Sequence, residues 1–193
     1  MQAMPFPNIL AFVEGNMERM FINNNFHYVE LITVMNGDSW SEEAMSEQIL
    51  TKFITKDANP DLIWIWLDRE DQNRCVKTLK GLICKKLASL GVTKDKIKFL
   101  IPDKMTENLI LADEEAMKEA FENEEYRYEM EGENGKSILK QLHKRNGVNY
   151  KETFHGLQLL KKIRIANCAK TSPSAKDFFD ETDLPCWWLE NQI

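Results

Sequence analysis

Six consecutive large apolar residues, Leu62-Ile63-Trp64-Ile65-Trp66-Leu67, constrain this chain more than any other stretch. A strand with one wet face alternates apolar and polar residues, whereas a strand covered on both faces does not, and such strands belong to parallel sheets. The run is of strand length, is entered through Pro60-Asp61 and ends at once in Asp68-Arg69-Glu70-Asp71. In open α/β sheets ligands collect beyond the carboxyl ends of the strands, which is where Asp68, Glu70 and Asp71 fall.

The flanking sequence supplies the rest of such a sheet. Ile9 to Val13 reads as a strand, Glu14-Gly15 as a tight turn, and Met17, Met20 and Phe21 as the apolar face of a helix. His27 to Met35 is rich in β-branched residues and stops at the turn signal Asn36-Gly37-Asp38. Ser41 with Glu42 and Glu43 opens a second helix, which ends in the loop Lys56 to Asp61. After the central run, Gln72 to Leu90 is a third amphipathic helix with Gly91 as its C-cap, and Ile97 to Ile101 is a fourth strand closed by Pro102. The order β-α-β-α-β-α-β implies a mainly parallel sheet with right-handed crossovers, a Rossmann-like three-layer sandwich. Beyond it, Glu107 to Phe121 reads as helix, the acid-rich piece 122–135 as a mobile insertion or loop, and Ser137 to Lys144 and Phe154 to Ile165 as two further helices. We therefore expect an α/β core over residues 1–121. Residues 122–193 then form an acidic loop, a basic helical extension and a tail with Trp187-Trp188, packed on the same domain.

A net charge of -6 argues at first against nucleic acid, but the charge is segregated. Asp113 to Glu133 holds ten acids against Lys118 and Arg127, while Lys136 to Lys170 holds nine Lys or Arg against Glu152 alone. A segment that basic offers phosphate contacts, or else a solvated helix face. Cys75, Cys84, Cys168 and Cys186 are widely spaced with no CxxC pair, which suggests reduced thiols rather than a zinc site or a disulfide framework. The start lacks a basic and then apolar leader, and no run is long enough to span a bilayer, so the expected location is cytoplasmic and no membrane partner is expected. Neither GxxxxGK[ST] nor GxGxxG is present, which leaves intrinsic ATPase activity without a signature.

Glu14 and Glu18, four apart, share a face if helix begins at Gly15, and Asp68 and Glu70 point the same way in extended chain. If the first and third strands are neighbours, both pairs lie at one carboxyl edge. Unit charges about 4 Å apart cost about 1 kcal/mol per pair in water and about 4 kcal/mol at an effective dielectric near 20, so such acids need a cation or protons. Oxygen donors without a nearby His or Cys favour Mg²⁺ or Mn²⁺, ions that activate water and stabilise the leaving oxygen of a phosphodiester.

The Glu-Gly after the first strand (Phe12-Val13-Glu14-Gly15) and the acidic-x-acidic end of the central strand (Asp68-Arg69-Glu70) resemble the Toprim domain of topoisomerases, primases and OLD-type (overcoming-lysogenisation-defect) nucleases. The spacing Glu14-Gly-Asn-Met-Glu18 is similar to the OLD-type version. Thr106-Glu107-Asn108-Leu109-Ile110-Leu111-Ala112-Asp113, Tyr150-Lys151 and His155-Gly156 resemble a small stand-alone Toprim-like bacterial family of unknown function, often encoded beside an ATPase in operons linked to defence. The resemblance implies a Mg²⁺- or Mn²⁺-dependent nuclease acting on DNA or RNA, tRNA included, in anti-phage defence with an AAA/ABC-type ATPase partner, and a homodimer is compatible with it. It makes Glu14 a general base or metal ligand and Asp68 and Glu70 metal ligands, with Glu18, Glu107 and Asp113 as further ligands or site acids. It also implies a late lysine that stabilises charge at the phosphate, with Lys151 the first candidate and Lys136 the second. The chain departs from the usual Asp-x-Asp in having Glu70, so Asp71 competes with Glu70 for the second ligand position.

Two other readings remain. One is a catalytically inactive Toprim-like subunit that regulates or docks on an ATPase through the Trp187-Trp188 tail. The other is a receiver-like phosphotransfer domain, which the spacing of Glu14-Gly15 and Asp68 to Asp71 fits less well.

Overall fold

The computed structural model describes residues 7–34, 40–69 and 75–181, the last four by their backbone alone. Two compact units divide these residues: the first runs to 67 and resumes over 75–99, and the second takes 68–69 and everything from 100. The division falls at 99/100 rather than at the expected 121/122. Asp68 is hydrogen-bonded to Thr106, and the helix that Thr106 begins packs on later helices of the second unit, so 100–121 belongs with the C-terminal helices.

The first unit carries a four-stranded, all-parallel sheet in the order β2-β1-β3-β4. Its strands are β1 (Ile9–Val13), β2 (Val29–Thr33), β3 (Leu62–Trp66) and β4 (Ile97–Leu100). The central pair is buried as the sequence predicts: all five residues of β1 and four of five in β3, against an edge strand β2 with none. Three helices alternate with the strands, α1 (Asn16–Asn25), α2 (Glu42–Lys56) and α3 (Val76–Ala88). The chain moves from β1 to β2 in one direction along the sheet, and from β2 to β3 to β4 in the other. Right-handed crossovers therefore place α1 on one face and α2 with α3 on the opposite face. The contacts agree: α2 packs on α3, while Trp66 stands edge-on to Phe21 of α1 at 5.9 Å and Trp64 to Phe26 at 6.4 Å. This is a three-layer α/β, Rossmann-like fold.

Local signals account for the helix boundaries. Ser41 Oγ accepts the Ala44 N–H at 3.2 Å, capping α2 where the sequence predicts. Lys86 of α3 bridges Glu43 and Glu47 of α2, which raises the lysine pKa through those two hydrogen bonds. Beyond α3, Gly91 adopts φ +83°, as its expected capping role requires. The turn expected at Asn36-Gly37-Asp38 and the start of the helix expected from Gln72 lie outside the described residues. Gly81 faces open space on the exposed side of α3. Gly81→Ala is therefore expected to stabilise the protein by about 0.5–1 kcal/mol, read as a higher urea midpoint.

The second unit is helical: α4 (Thr106–Ala112), α5 (Glu114–Phe121), α6 (Gly135–Arg145), a π-helical turn Glu152–Gly156, α7 (Leu157–Lys162), α8 (Ile165–Thr171) and α9 (Pro173–Glu181). The single helix expected over 107–121 breaks at Asp113, whose carboxylate caps α5 through the Ala116 N–H at 3.1 Å. The helix expected over 154–165 also divides. In a continuous helix the Arg164 N–H would bond the Leu160 carbonyl; here it donates to Asp113 Oδ2 at 2.7 Å and the helix ends. Residues 122–134 form the expected loop, but a stitched one. The Tyr126 hydroxyl donates to the Leu111 carbonyl, the Tyr128 N–H to Glu114, the Gly132 N–H to Asp103, and Asn108 Nδ2 to the Glu133 carbonyl. Glu131 accepts from Ser172 and Ser174 at the start of α9.

Cys75 and Cys168 are free thiols. Among the described residues no helix is long and apolar enough to cross a membrane. Cys186 and Trp187-Trp188 lie outside the described residues.

Candidate active site

The strand order reverses direction between β1 and β3, the topological switch point at which open α/β sheets bind ligands. Val13 and Trp66 are in register, so Glu14 and Leu67 stand at one carboxyl edge. Glu14 is 5% exposed and accepts the Trp40 indole N–H at 2.9 Å. Glu18, 3% exposed, lies in the first turn of α1, where the helix dipole favours negative charge. Its carboxylate folds back over Gly15 so closely that a Cβ there would collide with Glu18 Oε2. Gly15 thus serves a close approach, and two carboxylates are buried within one turn at the end of β1.

The second unit gathers its own charged cluster. Asp68, half-buried, accepts both the backbone N–H and the hydroxyl of Thr106, at 2.9 and 3.2 Å. It thereby caps α4, whose own N-cap position is Met105 with no side-chain hydrogen bond. The next residue, Glu107, is 3% exposed and accepts from the Tyr150 hydroxyl at 3.3 Å. Against it lies the first turn of α6: a Cβ on Gly135 would stand 2.7 Å from the Asn108 nitrogen and 2.9 Å from the Glu107 carbonyl carbon. That contact places Lys136, ion-paired with Glu152, beside the acids. Burial alone would lower the Lys136 pKa, but the Glu152 hydrogen bond and the charges of Glu152, Glu107 and Asp68 outweigh it and hold the ammonium above its ordinary range. Lys136 is therefore a fixed cation at neutral pH rather than a base. Gly135→Ala is expected to cost about 1–3 kcal/mol by forcing α6 off α4, read by chemical denaturation. The opposite sign from Gly81→Ala would isolate the close approach as the cause.

The remaining sequence candidates do other work or stand apart. Asp113 is 1% exposed and wholly engaged in the fold, accepting from Ala116, Arg164 and Asn167. Lys151 has an exposed side chain, and its N–H donates to His155 Nδ1 at 2.9 Å. The lysine beside Asp68 and Glu107 is thus the second sequence candidate, Lys136. Behind it, His143 packs against Phe121, Tyr150 and His155 with ring centroids 4.9–5.1 Å apart. Burial pushes the His143 pKa down, as does the charge of His155, against the Leu139 carbonyl that holds it up. Glu70 and Asp71 lie outside the described residues.

Several participants escape a reading of the sequence. Trp40 and Thr106 carry no spacing signal, because each reaches its acid across the fold. Glu152 does carry one, as the single acid in a segment of nine cations. A divalent ion needs a converging set of oxygen donors. Among the described residues no group of three or more His, Cys, Asp or Glu side chains is arranged to hold one, so the described side chains alone do not make the expected metal site. No protein-family model matches the chain, and no curated protein or solved structure is significantly similar to it.

Proposed function

We propose that this protein is a metal-dependent nuclease, hydrolysing phosphodiesters of DNA or RNA, and that it acts in anti-phage defence beside an ATPase. The observation that carries this reading is the meeting of Asp68, Glu107 and the cationic Lys136 at the first turns of α4 and α6. A cation there suits the charge that develops on phosphate oxygens during displacement, and a preorganised cation needs no rearrangement as that charge grows. Thr106 orients Asp68, Tyr150 orients Glu107, and Glu152 fixes Lys136. A bound Mg²⁺ or Mn²⁺ would supply Lewis-acid polarisation and an activated water.

The test is cleavage of labelled DNA and RNA oligonucleotides by the purified chain with Mg²⁺, with Mn²⁺ and with chelator. Cleavage with either ion that stops on chelation is expected. Equal cleavage in chelator removes the metal from the reading, and no cleavage with either ion, alone or with an ATPase supplied, removes the nuclease.

A second reading, a non-catalytic subunit of an ATPase complex, is favoured by the work Asp68 and Asp113 do as helix caps. It predicts no cleavage under any of these conditions, together with a change in the turnover of the ATPase when the chain is added.

A further inference from the structure

The π-helical turn Glu152–Gly156 lies along α6, fixed at both ends. Glu152 is paired with Lys136 in the first turn of α6, and the His155 ring lies 5.0 Å from that of His143 in the last. Between these ties Phe154 is thrust outward, 56% exposed, with its ring edge-on to His155 at 4.9 Å. Wide π-turns of this kind are uncommon and tend to mark functional positions.

Lys136, Lys140 and Lys144 follow one another at four-residue intervals on α6, flanking the face buried through Leu139, Leu142 and His143. Successive lysines are therefore about 6 Å apart along the axis, the order of the separation between neighbouring phosphates on one strand. Lys140, Lys144, Arg145 and Lys151 are exposed, and none of them has an ion-pair partner among the described residues.

We propose that this face binds an unpaired polynucleotide strand, its phosphates following Lys140 and Lys144 toward Lys136 and one base stacking on Phe154. The inference rests on the nuclease reading for its direction, since the stripe ends at the candidate site, and it narrows the substrate to single strands. Electrostatics alone would serve a duplex equally well. The exposed phenyl ring decides, because a base inside a duplex has both faces covered, whereas an unpaired base offers a face to an aromatic ring whatever its identity.

The experiment is anisotropy of labelled single-stranded DNA, single-stranded RNA of the same sequence, and the corresponding duplex, each titrated with the full chain in chelator over a range of salt. Single strands are expected to bind more tightly than duplex, and the tighter of the two single-stranded arms identifies the sugar. Lys140→Ala and Lys144→Ala should each lower the slope of log affinity against log salt by about 0.7. Phe154→Ala should weaken binding by about 5- to 150-fold with the salt slope unchanged. These residues are exposed, so their replacement leaves the core intact. Duplex binding as tight as single-strand binding, or unaltered affinity in Phe154→Ala, would overturn the proposal. Because binding is read in chelator, a chain that binds single strands through Phe154 but never cleaves them defeats the nuclease reading alone. Cleavage with Phe154→Ala binding unchanged defeats this proposal alone.

Discussion

Asp113→Ala is expected to cost the second unit about 2–4 kcal/mol, a large part of the roughly 5–15 kcal/mol that holds a typical domain folded. The side chain does two jobs at once. It caps α5 through the Ala116 N–H, and loss of an aspartate cap costs about 0.5–2 kcal/mol. It also accepts the Arg164 N–H at 2.7 Å, with the Asn167 amide further off at 3.3 Å, and the short hydrogen bond to a charged acceptor contributes about 1.5–3 kcal/mol. Alanine would leave those donors facing a site that is 1% exposed, where water cannot readily replace the carboxylate. Asp113→Asn should be milder, since the amide oxygen can still cap α5 while its NH2 group meets Arg164 donor to donor. Urea denaturation of the three proteins with and without Mn²⁺ checks this. A structural cap gives the ranking wild type, Asn, Ala under both conditions. A stability gap that appears only when metal is added would return Asp113 to the ligand role that the sequence suggests.

That residue also marks where the sequence stops being legible. The strands and first three helices can be read because each is specified locally: an apolar run without alternation for β1 and β3, Ser41-Glu42-Glu43 for the start of α2, Gly91 beyond α3. The strand order, and with it the switch point, is consistent with the handedness of crossovers. The second unit is specified by contacts between distant residues. A helical pattern runs through Asp113, whose carboxylate instead caps α5 at Ala116 and meets Arg164, 51 residues later. Residues 122–134 read as mobile because acids crowd there. What the composition conceals is that Glu131 reaches Ser172 and Ser174, and that the tyrosines are anchors. Tyr128 is buried enough for its hydroxyl pKa to be pushed up to about 12. The candidate site is legible by residue type and not by partner. Asp68, Glu107 and Lys136 stand out as acids and a late lysine, whereas the preference for Lys136 over Lys151 depends on how α6 meets α4 at Gly135.

Asp68→Asn and Glu107→Gln are expected to lower nuclease activity by about 100-fold or more each while leaving the fold standing, because each removes charge without removing an acceptor. In Asp68→Asn the amide oxygen can still take the two Thr106 donors that cap α4, and in Glu107→Gln it can still take the Tyr150 hydroxyl. Alanine at either position would instead strip α4 of its cap or leave Tyr150 facing a void, and would confuse unfolding with lost chemistry. The amides also carry a signature that a packing role would not produce. Asp68 and Glu107 are two of the carboxylates that hold Lys136 above its ordinary range, so deleting either charge lowers the lysine pKa. If the protonated lysine is needed at the phosphate, activity is present below its pKa and lost above it, and the alkaline limb of the pH profile moves to lower pH in both variants. Residual activity measured from neutral to alkaline pH, beside a urea midpoint close to that of wild type, checks both halves. Full activity in either amide variant would take that carboxylate out of the site, and an unmoved alkaline limb would take Lys136 out of it.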